Sequence, residues 1–223
     1  MGGALRAVGA AHSQWVAGRR VRVLSAALAK RVPPGARLLD IGCGDGEVGA
    51  QIARLAHGVR VEGVEVKPRP SCRIPCRAFD GRSLPCADAS FDGCLLVDVL
   101  HHAEDLRGLL REAARASGRF LLLKDHICES RTDFATLRFM DWVGNAPHGV
   151  ALPYNYQSRA QWTEHFRECG LRVCDWTESL PLYPFPFSLA FNRQLHFIAL
   201  LEVAERPARI TRESSAHAAR SNP

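Results

Sequence analysis

Three sets of residues in this chain have the types and spacing to do chemistry. The first is Asp40-Ile41-Gly42-Cys43-Gly44-Asp45-Gly46, an acid followed by glycines at alternate positions. Glycine lets the backbone approach a nucleotide or nucleoside that a Cβ would hold off, and it supplies a positive φ where the turn needs one. The second is Glu65, about twenty residues after that turn, where a carboxylate can accept hydrogen bonds from both hydroxyls of a ribose. The third is the histidines His101, His102 and His126, whose side chains titrate near neutrality and can move a proton.

These residues need elements to hold them, and the apolar patterning supplies them. Leu38, Leu39 and Ile41 read as strand 1. Val48, Ile52 and Leu55 continue from the glycine turn as a helix, giving a strand–turn–helix unit. Val59–Val66 reads as strand 2, Ile74–Phe79 as a short strand 3 and Gly93–Val97 as strand 4. A helix through Leu106, Leu109, Leu110, Ala113 and Ala114 is broken by Ser117-Gly118, after which Arg119–Lys124 is strand 5. Ahead of all this, Val21, Val23, Leu24, Ala27 and Leu28 recur at helical steps within Ser13–Arg31. Pro33-Pro34-Gly35 ends that helix, which would cover the cofactor side of the sheet or lid the pocket.

Beyond strand 5, residues 125–157 form a long insertion with a helix around Phe134–Trp142, placed where a substrate lid would sit. Ser158 caps a helix through Trp162 and Phe166 that Gly170 closes, and Leu171–Trp176 reads as strand 6. Phe187–Phe191 and Gln194–Val203 complete a hairpin in which strand 7 runs antiparallel. Residues 1–12 read as a flexible start and 205–223 as a disordered polar tail, leaving one domain over 13–204 whose N-terminal helix lies in 13–35.

The totals agree with a single α/β domain. The chain has 223 residues, 47% hydrophobic and 23% charged, which is ordinary globular composition. Its eight cysteines include Cys43, Cys94 and Cys174 in apolar runs, as reduced core residues are. No apolar run approaches the roughly 18 residues of a membrane span, and the N-terminus lacks a signal-peptide pattern, so the expected compartment is the cytoplasm. The net charge of +6 is carried mostly by scattered arginines and a basic tail. Basic residues interleaved with aromatics are missing, so nucleic acid is not the expected partner.

The spacing at the glycine turn distinguishes two cofactors. A dinucleotide fingerprint asks for glycine three residues after Gly44, where this chain has Glu47. The phrase Leu84-Pro85-Cys86-Ala87-Asp88-Ala89-Ser90-Phe91-Asp92 and the Asp98-Val99-Leu100-His101-His102 that follows strand 4 complete the pattern. Together with the glycine turn and the acids after strands 2 and 3, they resemble class I S-adenosylmethionine-dependent methyltransferases of the small-molecule type. The resemblance covers about 23–124.

It implies a Rossmann-like fold with a doubly wound, mostly parallel seven-stranded sheet, S-adenosyl-L-methionine as cofactor and S-adenosyl-L-homocysteine as product. It further implies that Gly42, Cys43, Gly44 and Gly46 admit the methionine part, that Asp40 orients the loop or the amino group and that Glu65 holds the ribose. Asp80, with Gly81, would face the adenine, and Asp98 would lie where the chain passes the sulfonium. In-line transfer to oxygen, nitrogen or carbon needs a base only when the acceptor is protonated. His126 is the first candidate, because it follows strand 5 at the carboxyl edge of the sheet, and His102 and His101 come next. Asp141, Asn145, His148, Tyr154 and Tyr156 are the expected contacts to a small-molecule substrate. No metal is expected: His101, His102, Asp125 and His126 could converge, but the spaced acid pair of cation-using relatives is missing. Cys72, Cys76 and Cys86 have neither a zinc spacing nor a fourth ligand. The rival readings are a methyltransferase-like binding module without turnover and an NAD-dependent oxidoreductase. The oligomeric state is left open.

Overall fold

Leu38 and Leu39 are both fully buried although adjacent side chains of a strand point to opposite faces. The same holds for Leu95 and Leu96 and for Leu121, Leu122 and Leu123. Strands apolar on both faces must be covered on both, which is the condition for a parallel sheet wrapped by helices. The computed structural model, which describes residues 18–145, 153–185 and 188–204, has this architecture.

The elements are α1 (18–29), β1 (Arg37–Ile41), α2 (Glu47–Leu55), β2 (Arg60–Glu65), β3 (Cys76–Ala78) and β4 (Phe91–Val97). A single 3₁₀ turn (Leu100–His102) then leads to α3 (Leu106–Ala116), β5 (Ser117–His126), α4 (Arg131–Asn145), α5 (Arg159–Glu168), β6 (Leu171–Thr177), α6 (Ser188–Phe191) and β7 (His196–Val203). The seven strands lie in the order β3-β2-β1-β4-β5-β7-β6. Pairings from β3 through β5 are parallel, while β7 runs antiparallel between β5 and β6. The order reverses between β1 and β4, so the carboxyl ends of these two strands open the crevice in which doubly wound sheets bind ligands.

Two cores result. Leu39, Ile41, Leu96, Leu121 and Leu123 meet α3 and α5 through Leu110, Trp162 and Phe166 on one face. Leu38, Leu95, Leu122 and Ile198 meet α1 and α2 through Leu24, Leu28 and Ile52 on the other. The end of α1 is pinned to β6, where the Arg31 guanidinium donates to Asp175 (2.6 Å) and Thr177 Oγ1 (2.8 Å). That helix packs on the sheet through Leu24 and Leu28 and meets Asp98 with Arg20.

β4 begins at Phe91, two residues before the expected Gly93, and β2 is a residue shorter at each end; four further differences have a local cause. β5 begins at Ser117 instead of breaking there, because the Ser117 hydroxyl accepts from the Phe120 amide (3.1 Å) and donates to its carbonyl (2.8 Å), so the chain turns directly from α3 into strand. β3 is shorter than Ile74–Phe79, since Pro75 has no N–H to give the ladder. Residues 188–191 form the short helix α6 and not a strand, and Phe187 lies outside the described residues. Asn192 locks that segment into a loop by bonding both the amide and the carbonyl of Tyr183 (3.1 Å each). β7 starts at His196 because Gln194 has a φ of 53°, off the extended region. The readings on 1–12 and 205–223 also lie outside the described residues.

Candidate active site

The glycine turn leaves β1 and enters α2 at Gly46, the residue that caps the helix. Gly44 carries the argument for a ligand: its φ is 60°, and a Cβ built on it would meet nothing within 4 Å, so one face of the turn is open. Its N–H donates to Glu65 Oε2 (2.9 Å), while Glu65 Oε1 accepts from the Lys67 amide (3.3 Å). Thus the acid at the end of β2 stands at the mouth of the turn with both oxygens directed to donors. Two carboxylate oxygens beside an uncovered glycine suit a ribose diol, so the residues present fit an adenosyl cofactor. Beneath the turn, Asp40 is buried, and burial together with the nearby Glu65 charge pushes its carboxyl up to about 7. Cys43 lies below the turn against Gly63 of β2.

Asp80 is exposed and closes a local turn at Gly81. Its Oδ1 accepts from the Arg82 (2.8 Å) and Ser83 (2.7 Å) amides, which lower its pKa. One oxygen is therefore committed to the backbone and the other remains for a ligand.

At the ends of β4 and β5 a dense set of charged groups is buried. Asp98 has a φ of 57° and pairs with Arg20 from α1 and with the wholly buried Lys124 of β5. Burial opposes its charge, but Lys124 and Arg20 outweigh that and hold its pKa well below the ordinary value. Lys124 Nζ also meets His196 Nδ1 at 3.3 Å.

The second buried set centres on Asp125. Its Oδ1 receives the His126 amide (2.8 Å) and His101 Nδ1 (2.6 Å), and its Oδ2 receives the Leu100 amide (3.1 Å). With Nδ1–H assigned to that bond, His101 directs Nε2 toward Asp141. This nitrogen is buried without a hydrogen-bond partner and lies 3.5 Å from Asp141 Oδ2, which also accepts the Tyr156 hydroxyl. Burial works against a charged His101, but the Asp125 carboxylate, aided by Asp141 and Asp98, outweighs it and raises the pKa. The other two histidines move the opposite way. His102 falls to about 4 through burial and the neighbouring His101, and His126 falls through burial and Lys124.

Of the residues read from sequence as site candidates, His101, His102, His126, Asp98, Asp141 and Tyr156 are gathered into one cluster. Tyr154 adjoins it, with its ring 6.3 Å from that of Tyr156. The Trp162 indole donates to the His126 carbonyl (2.8 Å), and both rings are buried beside Asp125, whose Oδ1 lies 2.6 Å from His101 Nδ1 and 3.4 Å from His126 Nδ1. Asn145 is the last residue of α4, and His148 lies outside the described residues. Sequence reasoning missed Lys124, Arg20 and His196. The available signal was a lysine ending the apolar run Phe120-Leu121-Leu122-Leu123, a position where only a paired charge is tolerated. Beside the cluster, Phe134, Ala135, Phe139, Trp142 and Tyr154 line a largely apolar cleft, with the Arg138 guanidinium 5.4 Å above the Tyr154 ring.

Residues 15–175 match the family described as a methyltransferase domain. The 27-O-demethylrifamycin SV methyltransferase of Amycolatopsis mediterranei is 36% identical over 61% of this chain and 54% of its own length. The O-methyltransferase resE of Aspergillus sclerotiorum is 29% identical over 65% of this chain and 58% of its own. The chain thus spans between half and three-fifths of the length of these relatives. Among solved structures, the Haloferax volcanii complex of the Trm112 methyltransferase activator with a putative methyltransferase gives a TM-score of 0.69 at 18% identity, covering 90% of this chain and 96% of that one. The [4+2]-cyclase SpnF gives 0.61 at 17% identity over 82% and 80%. With the family matched over most of its length and its seven strands in the class I order, the chain belongs to the class I methyltransferase domain family.

Proposed function

We propose that the chain transfers a methyl group from S-adenosylmethionine to a hydroxyl of a small, partly apolar acceptor and releases S-adenosylhomocysteine. The observation that carries the reading is an open-faced glycine turn, with Glu65 at its mouth, near a His101–Asp125 pair whose second ring nitrogen, beside Asp141, has no hydrogen-bond partner. When bound, the cofactor supplies an electrophilic methyl group on a sulfonium. The protein's own work is binding, alignment and proton removal. Glu65 accepts the ribose hydroxyls, Gly42, Gly44 and Gly46 let the backbone come close, and Asp40, buried beneath the loop, orients the loop or the amino group. Asp80 and Gly81 border the adenine. Asp98, ionised between Arg20 and Lys124, ties α1 to β5 at the reacting end.

His101 Nε2 takes the acceptor proton while Asp125 keeps the ring in the required tautomer and stabilises the resulting imidazolium. Tyr156 and Asp141 border the acceptor, and the cleft beside Tyr154 suits an apolar body. Relatives named for O-methylation favour oxygen as the methylated atom. An NAD-dependent oxidoreductase is disfavoured because a dinucleotide-binding turn asks for glycine where Glu47 stands, in the first turn of α2. Eight free thiols support a reducing, cytoplasmic setting. Among the described residues no helix is long and apolar enough to cross a membrane.

The test is transfer of a labelled methyl group to a panel of phenolic and other hydroxylated acceptors, with His101→Ala alongside. The reading expects product with wild type and a loss of roughly 10²–10⁴-fold in the variant at unchanged cofactor affinity. Tight cofactor binding without transfer to any acceptor class would favour the binding module instead.

A further inference from the structure

Cys43 belongs to the glycine turn, and Cys72 and Cys76 lie about thirty residues further on, at the connection into β3. In the fold the three Sγ atoms lie within 4.8 Å of one another, with Cys43 and Cys76 at 3.5 Å. Cys86, which the sequence suggests as a companion to Cys72 and Cys76, is not in the group, and Cys43 takes its place.

Two glycines make room for the sulfurs. A Cβ on Gly63 would stand 2.5 Å from Cys43 Sγ, and one on Gly46 would stand 2.9 Å from Cys72 Sγ. The strands of chain that carry the thiols are fastened to one another independently of them. The Arg73 amide donates to the Asp45 carbonyl (2.8 Å), the Gly63 amide to the Pro75 carbonyl (2.7 Å) and the Gly42 amide to the Val64 carbonyl (2.8 Å). The thiols are therefore held together by a framework that does not depend on their bonding. All three are free and half-buried, so one side of the group is accessible to solvent.

We propose that Cys43, Cys72 and Cys76 form a three-thiolate site for one thiophilic divalent cation of the zinc type, with water in the fourth position. Tetrahedral bonds of about 2.3 Å put sulfurs roughly 3.8 Å apart, a separation that falls between the 3.5 Å of the Cys43–Cys76 pair and the 4.8 Å limit of the group. Binding replaces three S–H bonds by three metal–sulfur bonds and releases three protons to solvent, with no change of oxidation state. Because Cys43 stands between Gly42 and Gly44, the ion clamps the cofactor turn to the segment leading into β3. The site is separate from the histidine–aspartate clusters, which belong to the catalytic crevice already described.

The test uses the full chain, reduced and stripped of metal, titrated with cadmium ion while the thiolate-to-metal ultraviolet absorption is followed, with zinc added as competitor. The expected result is saturation at one equivalent, bleached by zinc. Cys43→Ser, Cys72→Ser and Cys76→Ser should each weaken binding at least tenfold, with circular dichroism reporting that each variant is folded. Cys128→Ser and Cys174→Ser should leave the titration unchanged. No absorption in the wild type, or a band that survives in the Cys72→Ser/Cys76→Ser double variant, would overturn the proposal.

Discussion

Asp125→Asn is the substitution for which the geometry gives the most detailed expectation. Asparagine keeps the shape of aspartate but exchanges one acceptor oxygen for an NH₂ donor. With its oxygen at the Oδ1 position it still receives the His126 amide and His101, and its NH₂ then faces the Leu100 amide, which loses its acceptor. Turned over, it orphans the His126 amide and forces the His101 proton onto Nε2, the nitrogen that must accept. Either arrangement leaves a buried donor unmade, at a cost of about 1–3 kcal/mol. For a chain of 223 residues this lowers the melting temperature by roughly 2–12 °C.

The pH dependence follows from the two shifts. Asp125 is lowered, so its contribution is present above the unfolded carboxyl value of about 3.9 and is lost in acid. His101 is raised, so its contribution is full below the unfolded imidazole value of about 6.5 and fades as pH rises through the folded value. The stability gap between wild type and variant is therefore widest between about pH 4 and 6.5. Calorimetric melting across pH and an NMR titration of His101 make the check, with the His101 pKa falling in the variant. An unchanged melting curve together with an unmoved His101 titration would refute the pairing. With an acceptor in hand, turnover should fall by roughly 10²–10⁴ at unchanged cofactor affinity.

Other substitutions separate structural from functional roles. Gly44→Ala meets open space and incurs only the left-handed backbone cost of about 1–2 kcal/mol, yet it should abolish cofactor binding. Gly93→Ala would bring a methyl to 2.5 Å from the Phe120 ring, and denaturant melts should show a loss of about 1–3 kcal/mol with cofactor affinity kept. Asp98→Ala strands the buried Lys124 ammonium and should cost about 3–5 kcal/mol, much of it recovered in the double variant with Lys124→Met, as a chemical-denaturation cycle would report. Asp40, held near 7 in the fold from a starting value of 3.8, makes folding progressively less favourable as pH rises between those values. Asp40→Asn should therefore gain up to about 4 kcal/mol at pH 8 and almost nothing at pH 4.

The parallel half of the sheet was legible because its signals are local. Alternate glycines, an acid at each strand end and runs apolar on both faces define β1, α2, β2 and β4 without any long-range information. Boundaries failed where a side chain redirected the backbone, as Ser117 does at the start of β5 and Asn192 does around α6. Much of the membership of the buried cluster was legible, and its hydrogen bonding was not. On sequence alone His126 ranks ahead of His102 and His101, and only the fold shows Asp125 Oδ1 2.6 Å from the His101 ring and Lys124 beside His126. Arg20 and Cys43 illustrate the remainder: each acts with residues about thirty to eighty positions away, a distance over which spacing carries no information.

What the glycine turn and Glu65 hold decides the function most directly. Calorimetric titration of the wild type and of Glu65→Ala with S-adenosylmethionine, S-adenosylhomocysteine and NAD tests that claim without an acceptor. The prediction is that both sulfur nucleosides bind at micromolar concentrations and NAD does not. The variant should bind them about 10–100-fold more weakly, the loss of one or two hydrogen bonds to a charged acceptor. Binding of NAD alone, or sulfur-nucleoside binding indifferent to Glu65→Ala, would contradict it.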